Sequence, residues 1–241
     1  MEGHAVPPAW GQDTLSQFLD KAHHDAFCTF ARYHDFFVVL ASIGDVFDAL
    51  IRNLGDPRSH FLECLFVPRS HAAYLAGVRL GLSGQQPEAY MCLRGCLENA
   101  LYGFFLNRRE DLQEAFLRRH QNDRWLGLVK KHLRPSAMLD LLRAENLETG
   151  RIAKTLYERT INLGAHPNPY GMLAGLEFQR EEKREIVLTQ YLNPDPVVLG
   201  LCLKSAAQVG VTALDIIALV LPEPFQSAGL RRTVDELRRG L

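Results

Sequence analysis

Residues 92–105, CLRGCLENALYGFF, read as a helix that is apolar nearly all round. Such a helix is built into a core by most of its circumference, so the rest of the chain must supply packing partners on several sides. The flanking sequence supplies helices. Phe36, Phe37, Leu40, Ile43, Phe47, Leu50 and Ile51 recur at three- and four-residue steps, which predicts helix from about Asp13 to Leu54, as one long element or two. NLGDPRS (53–59) stops it with Gly55 and Pro57. A second helical region covers about 60–83, with Pro68 expected to split or kink it. GLSGQQPEAY is a loop, and Pro87 fits the first turn of the apolar helix, which runs to about Leu106.

Residues 110–134 are basic and mixed, with irregular helical character. RPSAMLDLLRAEN opens a further helix, and NLETGRIAKTLYERTINLG gives another that ends at Gly164, before the turn AHPNPYG. LEFQREEKREIVLTQYL (176–192) has β-friendly ends and a charged middle, which fits a hairpin turning near Glu182–Lys183. Lacking an internal Gly or Pro, it also fits a helix; the hairpin is the expectation. NPDP then starts a last long apolar helix, and RRTVDELRRGL is an exposed basic end. No internal repeat and no alternation of strands with helices appears, which argues against a Rossmann or barrel fold. The expected class is mainly α, a multi-helix bundle with one small β-hairpin near 176–192. Residues 1–12 are expected to be a flexible N-terminal tail and 13–241 a single helical domain.

Of the 241 residues, 47% are hydrophobic, which is ample for a core, and the net charge of −1 argues against an extended basic face for nucleic acid. A local phosphate-binding patch is compatible with that total. The five cysteines lack the spacing of a disulfide framework and suit a reduced cytoplasmic chain. The N-terminus has no basic start followed by an apolar stretch, as a signal peptide would. Val197–Leu221 is the longest apolar segment, but Lys204, Gln208 and Asp215 interrupt it, so it reads as a core helix rather than a membrane span. A soluble, cytoplasmic protein is expected. No phosphate loop, nucleophile elbow, paired metal-binding histidines or Cys/His zinc cluster is present, and no metal or cofactor is expected.

Within the apolar helix, Arg94 and Glu98 have the spacing of an intrahelical ion pair. With about 100° per residue, Glu98 falls about 40° from Arg94, Tyr102 about 80° and Tyr90 about −40°, so they form one polar row beside Leu101 and Phe105. Two arrangements are open. In one, Arg94, Glu98, Asn99 and Tyr102 form the wet edge of an amphipathic helix. In the other, a half-buried polar row faces a cleft, where the pair needs further hydrogen bonds to offset its desolvation.

A second group lies in YERTINLGAHPNPYG (157–171), where Tyr157, Arg159, His166 and Asn168 gather at one helix end and the following loop. His166, held by Pro167, is an acid–base candidate because imidazole titrates near neutrality. Arg159 could neutralise a carboxylate or phosphate. Alternatively, His166 and Asn168 cap backbone groups and shape the turn.

YLAGVRLGLSGQQPEAYMCLRGCLENALYGFFL, followed at a distance by LYERTINLGAHPNP, resembles a family of uncharacterised bacterial helical proteins, over about residues 70–220. That group in turn resembles the HEPN superfamily, named for higher eukaryotes and prokaryotes nucleotide-binding domains. Its hallmark is an arginine followed after four to six residues by a histidine; here six residues separate Arg159 and His166, and Thr160 stands where the superfamily favours Asn, Asp or His. The resemblance implies a metal-independent ribonuclease or an RNA-binding relative in a toxin–antitoxin or phage-defence setting, with the site often completed across a homodimer. It implies that His166 assists attack by the ribose 2′-hydroxyl while Arg159 steadies phosphate. On this reading Arg94, Glu98, Arg159 and His166 line one cleft, with Glu98 orienting Arg94 or His166, and Tyr102, Tyr157 and Asn168 around them. The alternative is a non-catalytic protein-binding or assembly module whose Arg94–Glu98 row is structural.

Overall fold

The computed structural model describes residues 6–55, 61–165, 169, 176–181, 184–189 and 192–241, the two segments between 176 and 189 by their backbone alone. The first helical stretch is two helices, α1 (Thr14–Arg32) and α2 (His34–Arg52), divided at Tyr33, whose ψ of 40° leaves helical geometry. Asp13 caps α1 by accepting from the backbone N–H groups of Leu15 and Ser16. Residues just ahead of α1 are tied back to it: the Trp10 indole N–H donates to Asp20 at 2.8 Å, and Gln17 donates to the Gly11 carbonyl at 2.9 Å.

Helix α3 (Phe61–Leu82) carries Pro68 inside one continuous helix, so of the two expected outcomes the proline does not split it. An internal proline costs about 3 kcal/mol. Here the flanking Phe66, Val67 and Tyr74 are buried in the core, and that packing holds the helix through the proline. The apolar segment forms α4 (Gln86–Arg108), with Pro87 in its first turn as expected. The basic region is irregular: a 3₁₀ turn at Glu110–Leu112, then short α5 (Gln113–Leu117) and α6 (Asp123–His132). Helices α7 (Pro135–Glu145) and α8 (Leu147–Thr160) follow, and α8 runs on into a π-helical turn at Ile161–Ala165.

Two strands, β1 (Leu176–Glu181) and β2 (Arg184–Thr189), pair antiparallel in the register Leu176↔Thr189 to Glu181↔Arg184, as the expected hairpin requires. The remainder is α9 (Pro196–Ala218), capped by Asp195, then α10 (Pro222–Ser227) and α11 (Leu230–Arg239).

The class is therefore mainly α, a helical bundle. Helix α4 lies at its centre, packed on α3, α7, α8, α9 and the π-helical turn. Leu93, Leu97, Leu101 and Phe104 of α4 are fully buried, and each such side chain contributes about 1.5–3 kcal/mol. One core cluster runs from Leu40 to Val234. Helix α9 is the one element among the described residues long and apolar enough to cross a membrane, but 67% of its most apolar stretch is buried against the rest of the protein. It packs on α2, α3, α4, α8 and α11, which is the setting of a core helix.

Gly164 explains how the end of α8 reaches α4. A Cβ there would stand 2.3 Å from the Pro87 carbonyl oxygen, so only a residue without a side chain lets the π-helical turn close on the start of α4.

Candidate functional site

The polar row of α4 is not a wet edge. The Arg94 Nε–H donates to Glu98 Oε1 at 2.9 Å, and the two side chains are only 21% and 31% exposed. What covers them is α8. The Tyr157 hydroxyl donates to the same Glu98 oxygen at 2.8 Å, and the Arg94 guanidinium lies over the Tyr157 ring, 5.2 Å from its centroid. One carboxylate thus collects a guanidinium from its own helix and a phenol from the next, while the aromatic face takes the cation.

The electrostatics match this geometry. Burial, with the hydrogen bond and charge of Glu98, pushes the Tyr157 hydroxyl up to about 12, against the opposing pull of Arg94. For Arg94, burial works against the charge, but the hydrogen bond and charge of Glu98 outweigh it and hold the guanidinium above its ordinary range. The group is a charge-compensated brace between α4 and α8.

Tyr102 belongs to a different set. Its ring stacks on Phe66 at 6.0 Å and tilts against Phe116 at 5.8 Å, and its hydroxyl donates to the Leu133 carbonyl at 3.4 Å. Burial first, and the nearby Glu98 charge second, raise its pKa. Asn99 donates to the Gly95 carbonyl of its own helix.

Arg159 faces the other way. It is two residues beyond Tyr157, about 200° around α8, so Tyr157 meets α4 while Arg159 meets α9. Its Nη1–H donates to Gln208 Oε1 at 2.7 Å and to the Ser205 hydroxyl at 3.3 Å. The same Ser205 hydroxyl accepts from Tyr90 of α4 at 3.4 Å. Burial is the main cause of the Tyr90 phenol being pushed up to about 12, so that donor stays protonated.

Arg159 forms part of the wall of a cleft of about 300 Å³ between α8, α9 and α11. Arg151, Thr155, Gln208, Asp215 and Arg238 line it with Arg159; Arg94 and Glu98 do not. Asp215 is largely buried, which raises its carboxyl pKa, and Arg238 and Arg231 on α11 oppose that shift as ion-pair partners. The carboxylate of the cleft is therefore answered by α11, while Arg159 is held by neutral oxygens.

Of the residues singled out from sequence, Arg94, Glu98 and Tyr157 come together. Arg159 and Tyr102 each sit among other partners, and His166 and Asn168 lie outside the described residues. Ser205, Gln208, Asp215, Arg151 and Arg238 were not singled out as site residues. Gln208 and Asp215 did carry a signal, as polar interruptions of the apolar run from Val197 to Leu221. No disulfide links the five cysteines, and among the described residues no group of three or more His, Cys, Asp or Glu side chains is placed to hold a metal ion. Fold and site together define a mainly α helical bundle with an internal Arg–Glu–Tyr brace and a separate arginine-lined cleft. No family model, curated protein or solved structure matches the chain.

Proposed function

We propose that the protein is a cytoplasmic, HEPN-like helical protein that binds RNA, and cleaves it, at the Arg159 side of α8. One observation supports this reading above the others. Arg159 is fixed in direction by Gln208 and Ser205, both neutral, and so reaches the cleft wall with its full positive charge. A guanidinium always keeps its proton and offers further N–H donors, which suits it to a phosphate oxygen. In this reading Arg159 steadies the phosphate as charge builds in the transition state, and His166 takes the proton of the ribose 2′-hydroxyl. Tyr157, Glu98 and Arg94 act indirectly, by holding α8 against α4. A homodimer that completes the site belongs to the same reading.

The test is cleavage of a single-stranded RNA by wild type, His166→Ala and Arg159→Gln in the presence of a chelator. Cleavage should persist in wild type and be lost in His166→Ala. Equal cleavage by wild type and His166→Ala, or none by either, overturns the ribonuclease assignment.

A second reading rests on the brace itself. Glu98 Oε1 already accepts from both Arg94 and Tyr157, the pattern of a group spent on structure. In that reading the protein is a non-catalytic binding or assembly module whose polar residues fix the helices. It predicts that every substitution in the two polar groups changes stability and none changes an RNA affinity.

A further inference from the structure

A cavity larger than the Arg159 cleft belongs to neither polar group. It is a hollow of about 860 Å³ under α1, walled by α2 and α3. That is within the range of small-molecule sites, about 300–1,000 Å³. Its lining is aromatic: Trp10, Phe18, Phe27, Phe30 and Phe37 all border it. Three of these are left open to water, Trp10 at 42%, Phe27 at 63% and Phe30 at 40%. Exposed aromatic surface gathered in one concavity marks a binding site more than scattered surface residues do.

One polar feature gives the hollow a direction. Arg79, near the end of α3, is on its wall, and no ion pair engages Arg79 among the described residues. The carboxylate in the lining, Asp20, accepts the Trp10 indole N–H at 2.8 Å. An aromatic trough with a guanidinium on its wall that has no ion-pair partner among the described residues complements a molecule with an apolar chain and an anionic head. We infer that the hollow under α1 binds a single free long-chain carboxylate, its chain along the phenylalanines and its head on Arg79.

A second copy of this chain is the weaker occupant. A twofold interface needs a surface complementary to itself, and two facing hollows leave the aromatic trough unfilled. A flexible chain enters a concavity, and a carboxylate satisfies a guanidinium with two parallel hydrogen bonds. The inference stands apart from the RNA reading, because none of its residues lines the Arg159 cleft.

The experiment uses Trp10 as reporter. The chain has two tryptophans, so Trp125→Phe leaves Trp10 as the sole indole. That protein is titrated with sodium decanoate below its micelle concentration and, separately, with decan-1-ol. Decanoate should shift the Trp10 emission saturably. Arg79→Gln should weaken decanoate about tenfold, the loss of one charge-assisted contact, and leave decanol unchanged. Ala26→Phe, which fills the hollow, should abolish both responses with far-UV circular dichroism unchanged. No saturable shift, or equal weakening of decanoate and decanol by Arg79→Gln, overturns the assignment. So does a dimer in sedimentation equilibrium that falls apart in Phe27→Ser and is indifferent to decanoate. Arg79 is exposed, so its substitution keeps the test decisive if Ala26→Phe misfolds.

Discussion

The two sides of α8 use the same residue type in opposite ways. Toward α4, Arg94 meets a carboxylate and an aromatic face within one compact group. Toward α9, Arg159 meets an amide and a hydroxyl and keeps its charge. A guanidinium opposite a carboxylate in a half-buried contact has little left to offer a ligand, and removing its partner leaves a charge without compensation. A guanidinium aimed by neutral oxygens is oriented without being neutralised, so its removal costs the fold little and an anionic ligand much. Stability and affinity should therefore separate cleanly between the two groups.

The largest expected effect is on the α4 side. Glu98→Ala removes the acceptor of two hydrogen bonds and the carboxylate partner of Arg94. Discounted for partial exposure, the loss should be about 2 kcal/mol. For a chain of this size that is a fall in Tm of about 4–8 °C, read by thermal denaturation followed by circular dichroism. A fall under about 1 °C would show that the brace is not a structural element and remove one half of the contrast.

Next in size is the α9 side. Arg159→Gln should reduce RNA affinity about tenfold, near 1.4 kcal/mol, in fluorescence anisotropy at fixed salt. Its Tm should stay closer to wild type than that of Glu98→Ala, since the partners it gives up, Ser205 and Gln208, are neutral and no buried charge loses its counterion. If Tm falls as far as in Glu98→Ala while RNA affinity is unchanged, the two sides of α8 do the same job and the second functional reading gains.

The halves of this contrast were unequally legible in the sequence. Arg94 and Glu98 are four residues apart on one helix, and local spacing alone pairs them. Tyr157 joins them across 59 residues, and Ser205 and Gln208 meet Arg159 across 46 and 49. Such contacts depend on how whole helices dock, which no local pattern carries. The same limit explains why one cleft was expected for Arg94 and Arg159: both lie on helices that touch, but the turn of α8 between Tyr157 and Arg159 sends them to different neighbours.

The loop before α4 was readable because glycine and proline act locally, whereas the division of the first helical stretch at Tyr33, which has neither residue beside it, was left open as one element or two. At Pro68 local logic left a split and a kink open; the split does not occur, and the core burial of its neighbours, which no local pattern carries, is what holds the helix together there.

The smallest effect sharpens the comparison by pH. The Tyr157 hydroxyl is pushed up to about 12 in the fold, against an ordinary value of 10.0. Between those values the unfolded chain has lost the phenolic proton and the folded chain keeps it. The native state then binds more protons, so stability falls as pH rises through that window, and the contribution is fully present below 10. Tyr90, on the Arg159 side, is also pushed up to about 12 and adds to the same slope. Urea denaturation from pH 9 to 11 should therefore show declining stability in wild type and a shallower decline in Tyr157→Phe. In Glu98→Ala the slope should flatten part of the way toward that of Tyr157→Phe, because burial is the larger cause of the Tyr157 shift and Glu98 the next. Tyr90→Phe should also flatten the slope, but Glu98→Ala combined with Tyr90→Phe should do so additively, as two groups without a shared partner do. Strong coupling between Glu98 and Tyr90 in that cycle would mean that the brace and the cleft are one network, and the division drawn across α8 would fail.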